Sequence, residues 1–510
     1  MDDASSRGRP LSRVERTLLA VVVAVAATYW AACSILIHRG FHSNGWDLGL
    51  IHQVLWNTSY GRVFTFSFRD ISYAGDHWQP FLLLLVPVEW VFHSAEALLV
   101  VQAIALAAAV LPLYAAARRL GLSQLVAAAF VAAYVLSLAV AQAVSFDFHV
   151  EVFAPLLAFT AVWALASDRR WVFVACIALI LTLKEDGALL SIALCWVAWF
   201  AFRERTAIPL AVASLLYMLV ATSLIIPHYR GDDQNPFTER YGYLGDSPLG
   251  VVAGILTKPN LVFDQLTRAD ALEAIAVVLA SAAFLPLLAP RLLPVLALVT
   301  LLPLLSKEPG QGALLLHYLL VPSLVALVIA LVVARELNER RSTTRQPMNP
   351  LSASGEGAGG GVPPLIAAAL VALPLALFAW RSPLPPSFEA EMARFQVDDH
   401  ARLAQSFVDD IPAHASVSAQ SAFVPHLSAR AQLFQFPRLA ESFYVLLDEK
   451  GPVPDEDRHA GFDDCKAVLP VLGYEVIRAE DGITLWHRTR DPQPLDGVPE
   501  RCGGARTFTP

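Results

Sequence analysis

The chain has 510 residues, 56% of them hydrophobic and 16% charged, with a mean hydropathy of +0.52. A soluble domain carries about 25% charged residues, so a single soluble globule is excluded and a bilayer is the solvent implied. The net charge of -8 lies in the C-terminal quarter, since residues 1–381 hold 25 basic and 25 acidic side chains and residues 382–510 hold 12 and 20; neither part has the basic surface that nucleic acid requires.

The first apolar run, Leu18 to Ile37, follows Arg7, Arg9, Arg13 and Arg16. It is long enough to span, about 20 residues, and reads as an uncleaved first helix. Further spans are expected at 96–117, 122–144, 152–167, 171–183, 187–202, 207–227, 271–289, 292–306, 314–334 and 364–381, which makes eleven. Pro80 to Phe92 is too short and too interrupted by proline to cross, and reads as a half-helix at the membrane surface.

Charge sets the expected orientation. With residues 1–17 in the cytoplasm, Arg118 and Arg119, Arg169 and Arg170, Arg203 and Arg205, Arg291, and Arg335, Arg340, Arg341 and Arg345 all fall on the cytoplasmic side. Counting Pro80–Phe92 as a crossing would invert every later loop. The expectation is a multi-pass protein of the bacterial cytoplasmic (inner) membrane: a polytopic helical domain over 18–381, with a first external loop at 38–95 and a cytoplasmic linker at 335–363. Within that linker, Ser342–Gly361 is rich in Gly, Ser, Thr and Pro.

An odd number of spans exports residues 382–510, enough for one small domain. The pattern there predicts α/β structure: helices near Asp399–Ile411 and Asp463–Leu472, strands near Ser416–Ala419 and Phe443–Leu447, and a hairpin through Glu475–Ile477 and Thr484–His487 turning at Asp481-Gly482. Cys465 and Cys502 can pair there if the segment is exported. Cys33, Cys176 and Cys195 lie in apolar runs and read as small buried hydrophobes.

Ionisable groups beside spans are costly, and they usually pair or line a polar pathway. Here they gather in the outward connections: Asp47; Asp76 and His77; Asp147, His149 and Glu151; Lys184, Glu185 and Asp186. Asp147-Phe148-His149-Val150-Glu151 puts three polar side chains on one face of an extended segment. That suits either a divalent cation, Mg or Mn, or an interfacial hydrogen-bond cluster. Asp47 opens a helical pattern through Leu48, Ile51, Val54 and Leu55, flanked by Trp46 and Trp56, that reads as an amphipathic surface helix. Its carboxylate is either an N-cap or a general base. His77 is a ligand, a phosphate donor or a cap, and His426 after Pro425 reads as loop packing.

Asp47-Leu48-Gly49 with Gln53 and Trp56, then His77-x-x-Pro80, Phe148-His149-x-Glu151 and Lys184-Glu185-Asp186 resemble the bacterial membrane-protein family called domain of unknown function 2079, DUF2079. Val417-Ser418-Ala419-Gln420-Ser421, Pro425-His426-Leu427-Ser428 and Tyr444-Val445-Leu446-Leu447-Asp448 extend the resemblance over residues 40 to 490. Trp78-Gln79 and the Gly-rich linker depart from it.

That family is similar to the GT-C superfamily of integral membrane glycosyltransferases. The resemblance implies a GT-C-like bundle acting at the outer face of the membrane on a sugar carried by a polyprenyl phosphate, with a glycan, lipid or protein acceptor. It places Asp47 at the first-loop acidic position, and the glycosyl-transfer reading then expects Asp47 as the catalytic base and His77, His149, Lys184, Glu185, Asp186 and Gln53 as substrate-binding residues. A lipid or solute transporter, or a membrane scaffold, are the rival readings.

Overall fold

Uninterrupted apolar sequence makes helices here because a backbone in lipid must satisfy its own hydrogen bonds. The computed structural model describes residues 11–231, 240–344, 362–451, 453, 458, 461–490 and 502. Among them, six helices are long and apolar enough to cross a membrane: Arg13–Arg39, Ala95–Arg119, Gln124–Ser145, Ala207–Arg230, Pro309–Arg341 and Pro364–Arg381.

Shorter apolar helices lie at Val150–Ala166, Arg170–Leu183, Gly187–Phe202 and Pro290–Leu304, where further spans were expected. At 1.5 Å per residue, the 14 residues of Arg170–Leu183 reach only about 21 Å. The expected span 271–289 is broken: its helix runs Ala269–Ser281, and Ala283 and Phe284 then take left-handed backbone angles that end it. Pro80–Phe92 is a 3-10 turn, Pro80–Leu85, running into a seven-residue helix. The linker at 345–361 lies outside the described residues.

Helix packing is alanine-rich. Ala103, Ala107, Ala116, Ala117, Ala127, Ala161 and Ala164 are buried in one continuous core. Small side chains let helix backbones approach closely, which is how helices associate where lipid removes the hydrophobic drive.

The arginine-bearing turns meet at one end of the bundle. Arg118 and Tyr114 both contact Glu15, Asn338 donates to the Gly121 carbonyl, Arg335 to the Ala201 carbonyl, Arg170 pairs with Glu204, and Arg291 with Glu336. Each helix that starts or ends in this belt has its other terminus at the opposite end, where the acidic and histidine-bearing connections lie.

The C-terminal segment packs on that opposite end. Its five strands, β1 (Val417–Ala419), β2 (Leu433–Gln435), β3 (Tyr444–Asp448), β4 (Tyr474–Glu480) and β5 (Ile483–Arg488), form a sheet in the order β2-β1-β3-β5-β4. β1 runs parallel to β2 and β3, while β5 is antiparallel to β3 and β4. The hairpin turns at Asp481-Gly482, both at positive φ, the geometry that keeps the twist of flanking strands. Helices Asp399–Asp409 and Phe462–Ala467 fall where expected; β2, three residues long, was not anticipated. Cys465 and Cys502 form a disulfide.

Candidate functional site

The chain enters the site from the Arg13–Arg39 helix. Asn44 caps the next turn, its side-chain oxygen accepting the Trp46 N–H at 2.8 Å. The N-cap role therefore falls to Asn44, and Asp47 is left to face outward from a five-residue π-turn, Gly45–Gly49. Such wide turns occur mostly as single insertions, often at functional sites.

The helix that follows, Leu50–Ser59, is not the surface helix its pattern suggested. Leu50, Ile51, His52, Gln53, Val54, Leu55 and Asn57 are all buried, because the C-terminal domain covers the face that the sequence seemed to give to water. Gly45 N donates to Ser421 Oγ at 3.0 Å, and His426 is sandwiched between the rings of His38 and Phe41. Buried His52 lies 2.7 Å from Ser428 Oγ and 3.0 Å from Glu89.

Gln53 belongs to this clasp. Its amide donates to Ser67 Oγ at 2.8 Å and to the Arg430 carbonyl at 3.1 Å, and its oxygen accepts the Ser67 N–H at 3.1 Å. Those bonds occupy a side chain with no exposed surface, so the expected substrate contact is replaced by a structural one.

His149 holds Asp47. Its Nε2 lies 3.2 Å from Asp47 Oδ1, and its Nδ1 lies 3.0 Å from the Asp147 backbone carbonyl. A carbonyl only accepts, so Nδ1 carries a proton; a carboxylate at Nε2 calls for a second. Burial opposes that charge, but the hydrogen bond and charge of Asp47 outweigh it and raise the His149 pKa. Asp147 accepts the Asn44 N–H at 2.6 Å, while burial and then the Asp47 charge push its carboxyl up to about 7.

The remaining charges form neighbouring pairs. Lys184 Nζ lies 3.0 Å from Glu151 Oε1. Burial works against the Lys184 ammonium, yet the Glu151 carboxylate more than compensates and keeps it charged. His77 Nδ1 lies 2.9 Å from Glu185, which also accepts the Trp78 N–H at 3.0 Å. Asp186, next in the chain after Lys184 and Glu185, is exposed. Asp76 takes long contacts, each 3.4 Å, from Arg69 and Arg230.

Lys184 thus neutralises a carboxylate and does not present bare charge, and His77 is held by Glu185. The turn carrying Lys184 is tight: a Cβ on Gly187 would sit 2.4 Å from the Ile180 carbonyl oxygen, so only glycine lets the chain double back there.

The expected metal set is not formed. Asp147 is spent on Asn44, His149 on Asp47 and Glu151 on Lys184, and among the described residues no three His, Cys, Asp or Glu side chains gather as a metal-holding group. Residue spacing put the three on one face of an extended segment, but Val150–Phe153 forms a 3-10 turn that carries Glu151 out of that alternation, and each side chain is taken up by a partner from a distant segment. The donor set does not fit a divalent cation.

His317 was missed. It stacks on His149 with ring centroids 3.8 Å apart, and on Phe146 at 5.8 Å. A single histidine in an apolar run gives no signal of this. Flanking Leu314 and Leu316 adopt left-handed backbone angles, φ 51° and 56°, which leucine takes only where its surroundings impose them.

Among the cluster's carboxylates held by a His, Lys or Arg partner, the side chain of Asp47 is the most open: 24% exposed, against 17% for Asp76, 15% for Glu185 and 12% for Glu151; Asp186 is more exposed still. The buried His149 ring backs Asp47, which can take a proton from a group arriving at the surface.

The family described as "Predicted membrane protein (DUF2079)" matches residues 37–485. No curated protein matches the sequence. The fold is similar to crystal structures of ArnT from Cupriavidus metallidurans. For the apo state the identity is 14%, covering 93% of this chain and 98% of that one, with a TM-score of 0.49. For the structure bound to undecaprenyl phosphate the values are 13%, 94%, 100% and 0.47. The cryo-EM structure of the arabinofuranosyltransferase AftD from Mycobacteria is similar at 13% identity over 95% of this chain and 40% of that one, with a TM-score of 0.47.

Proposed function

The chain belongs to the DUF2079 family, and on that premise we propose that it is a membrane glycosyltransferase, moving a sugar from a polyprenyl-phosphate donor to an envelope glycan, lipid or protein. The observation that carries this reading is Asp47, a partly open carboxylate on the π-turn, backed by the buried His149 ring at 3.2 Å.

In the reaction, an acceptor hydroxyl oxygen attacks the anomeric carbon and its proton passes to Asp47. The bond from that carbon to the lipid phosphate breaks, and its electron pair stays on the phosphate oxygen. One base and in-line attack invert the anomeric centre. His149 stabilises the Asp47 carboxylate before attack. Arg69, its guanidinium 5.0 Å from the Trp46 ring and 38% exposed, is the cation placed beside the π-turn to meet the phosphate. Lys184, Glu185, Asp186 and His77 form the polar wall behind it.

The reading places residues 1–17 in the cytoplasm and the C-terminal domain outside the cytoplasmic membrane. The arginine belt at one end supports that orientation, as does the Cys465–Cys502 disulfide, since such bonds persist in oxidising compartments. The test is reconstitution of the full chain in proteoliposomes with radiolabelled polyprenyl-phosphate hexose and pentose donors and an envelope extract. Label is expected to move from lipid to acceptor; a bound donor whose label never leaves the lipid contradicts the reading.

A further inference from the structure

Two polar atoms in the cluster have no partner. His317 is 8% exposed with its Nδ1 unbonded, and the Oε2 atom of Glu151 is buried and unbonded while Oε1 holds Lys184. Burying such groups unsatisfied is costly, and nearly all buried polar atoms in folded proteins have a partner. Both lie around the ring of His149: His317 stacks on it, and the charges of Glu151 and His149 both act on His317.

The chemistry of the missing partner follows from what the neighbours already hold. His149 is paired with Asp47, Lys184 with Glu151 and His77 with Glu185, so the side chains next to these two atoms already have partners. His317 is stacked face to face on His149 at 3.8 Å, and its Nδ1 lies outside that pairing. What remains is an imidazole nitrogen and a carboxylate oxygen. Hydroxyl groups both donate and accept, and they complete such a pair; an anion would meet Glu151 unfavourably.

We propose that His317 and Glu151 form the subsite that reads hydroxyls of the transferred sugar, with His317 Nδ1 and Glu151 Oε2 as its contacts. This rests on the glycosyl-transfer reading and assigns specificity within it. The lipid phosphate belongs to the Arg69 side, and the sugar ring lies over the His149–His317 stack.

The test compares binding of two probes to the purified full chain in nanodiscs: undecaprenyl phosphate, and undecaprenyl-phosphate-linked mannose, glucose and arabinose. His317→Phe keeps the ring stack and volume but removes Nδ1. His317→Asn restores a polar atom near the Nδ1 position. A site built to bond a hydroxyl discriminates strongly when one partner is lost. His317→Phe is expected to weaken the preferred sugar-bearing lipid roughly 10- to 100-fold and leave bare undecaprenyl phosphate within about 3-fold, with His317→Asn recovering much of the loss. Equal weakening of both lipids, or none for the sugar-bearing one, overturns the subsite and leaves the transfer reading intact. If the wild-type chain binds none of the sugar-bearing lipids, both fall together.

Discussion

Val424 of the C-terminal domain presses on Gly49 so closely that a Cβ at Gly49 would sit 2.7 Å from Val424 Cγ1. Gly45, at the other end of the π-turn, is tighter still, with a Cβ position 3.0 Å from Val424 Cβ and closer yet to Gln435. The two glycines that bracket Asp47 are therefore where the C-terminal domain fixes the turn that carries it.

Gly49→Ala is expected to lower stability by about 1–3 kcal/mol through overpacking, and to lower transfer by displacing Asp47. Val424→Ala removes the clashing Cγ1, so the double variant should recover most of both losses. Thermal unfolding of the detergent-purified protein and the transfer assay measure the two effects. A double variant no better than Gly49→Ala would show that the contact does not position the turn.

His400 pins helix Asp399–Asp409 to the sheet, with Nε2 2.8 Å from Asp448 and Nδ1 3.0 Å from Asp481. The hydrogen bond to Asp448 is the main cause of its raised pKa. A raised folded pKa means the contribution is full below the unfolded value, about 6.5, and is lost as pH rises through the folded value. The pairs are partly exposed, so the effect is small, a shift in melting temperature of roughly a degree or two. His400→Ala should abolish that part of the pH dependence above about pH 6.5. An unchanged melting profile in this variant would remove His400 from the account.

The Cys465–Cys502 bond closes a loop with a sequence separation of 37, which in the chain-entropy picture stabilises by about 4 kcal/mol. Cys502→Ser should lower the unfolding temperature of the C-terminal domain markedly. In intact cells, a maleimide that alkylates free thiols should fail to label Cys465 in the wild type and succeed in the variant. Labelling of wild-type Cys465 without reductant would place the domain in a reducing compartment.

The apolar architecture was legible because a helix in lipid leaves a contiguous signature, and the half-helix at Pro80–Phe92 because proline and length both argue against a crossing. Asp47, His149, Glu151 and Lys184 stood out because charge next to apolar runs is rare. Their pairing was not legible. Glu151 and Lys184 meet across 33 residues, Asp47 and His149 across 102, and nothing local encodes such contacts. Gln53 was misread because its partners, Arg430 and Ala431, lie in another domain. His317 and β2 were invisible for opposite reasons: one is a lone polar residue in an apolar run, the other too short to show a period.

The most direct test of the account is Asp47→Asn in the reconstituted transfer assay, read alongside donor binding. Asparagine keeps the shape and loses the base, so transfer should fall about 10²- to 10⁴-fold while affinity for the polyprenyl-phosphate sugar stays within about 3-fold of wild type. Transfer by Asp47→Asn at the wild-type rate would contradict it.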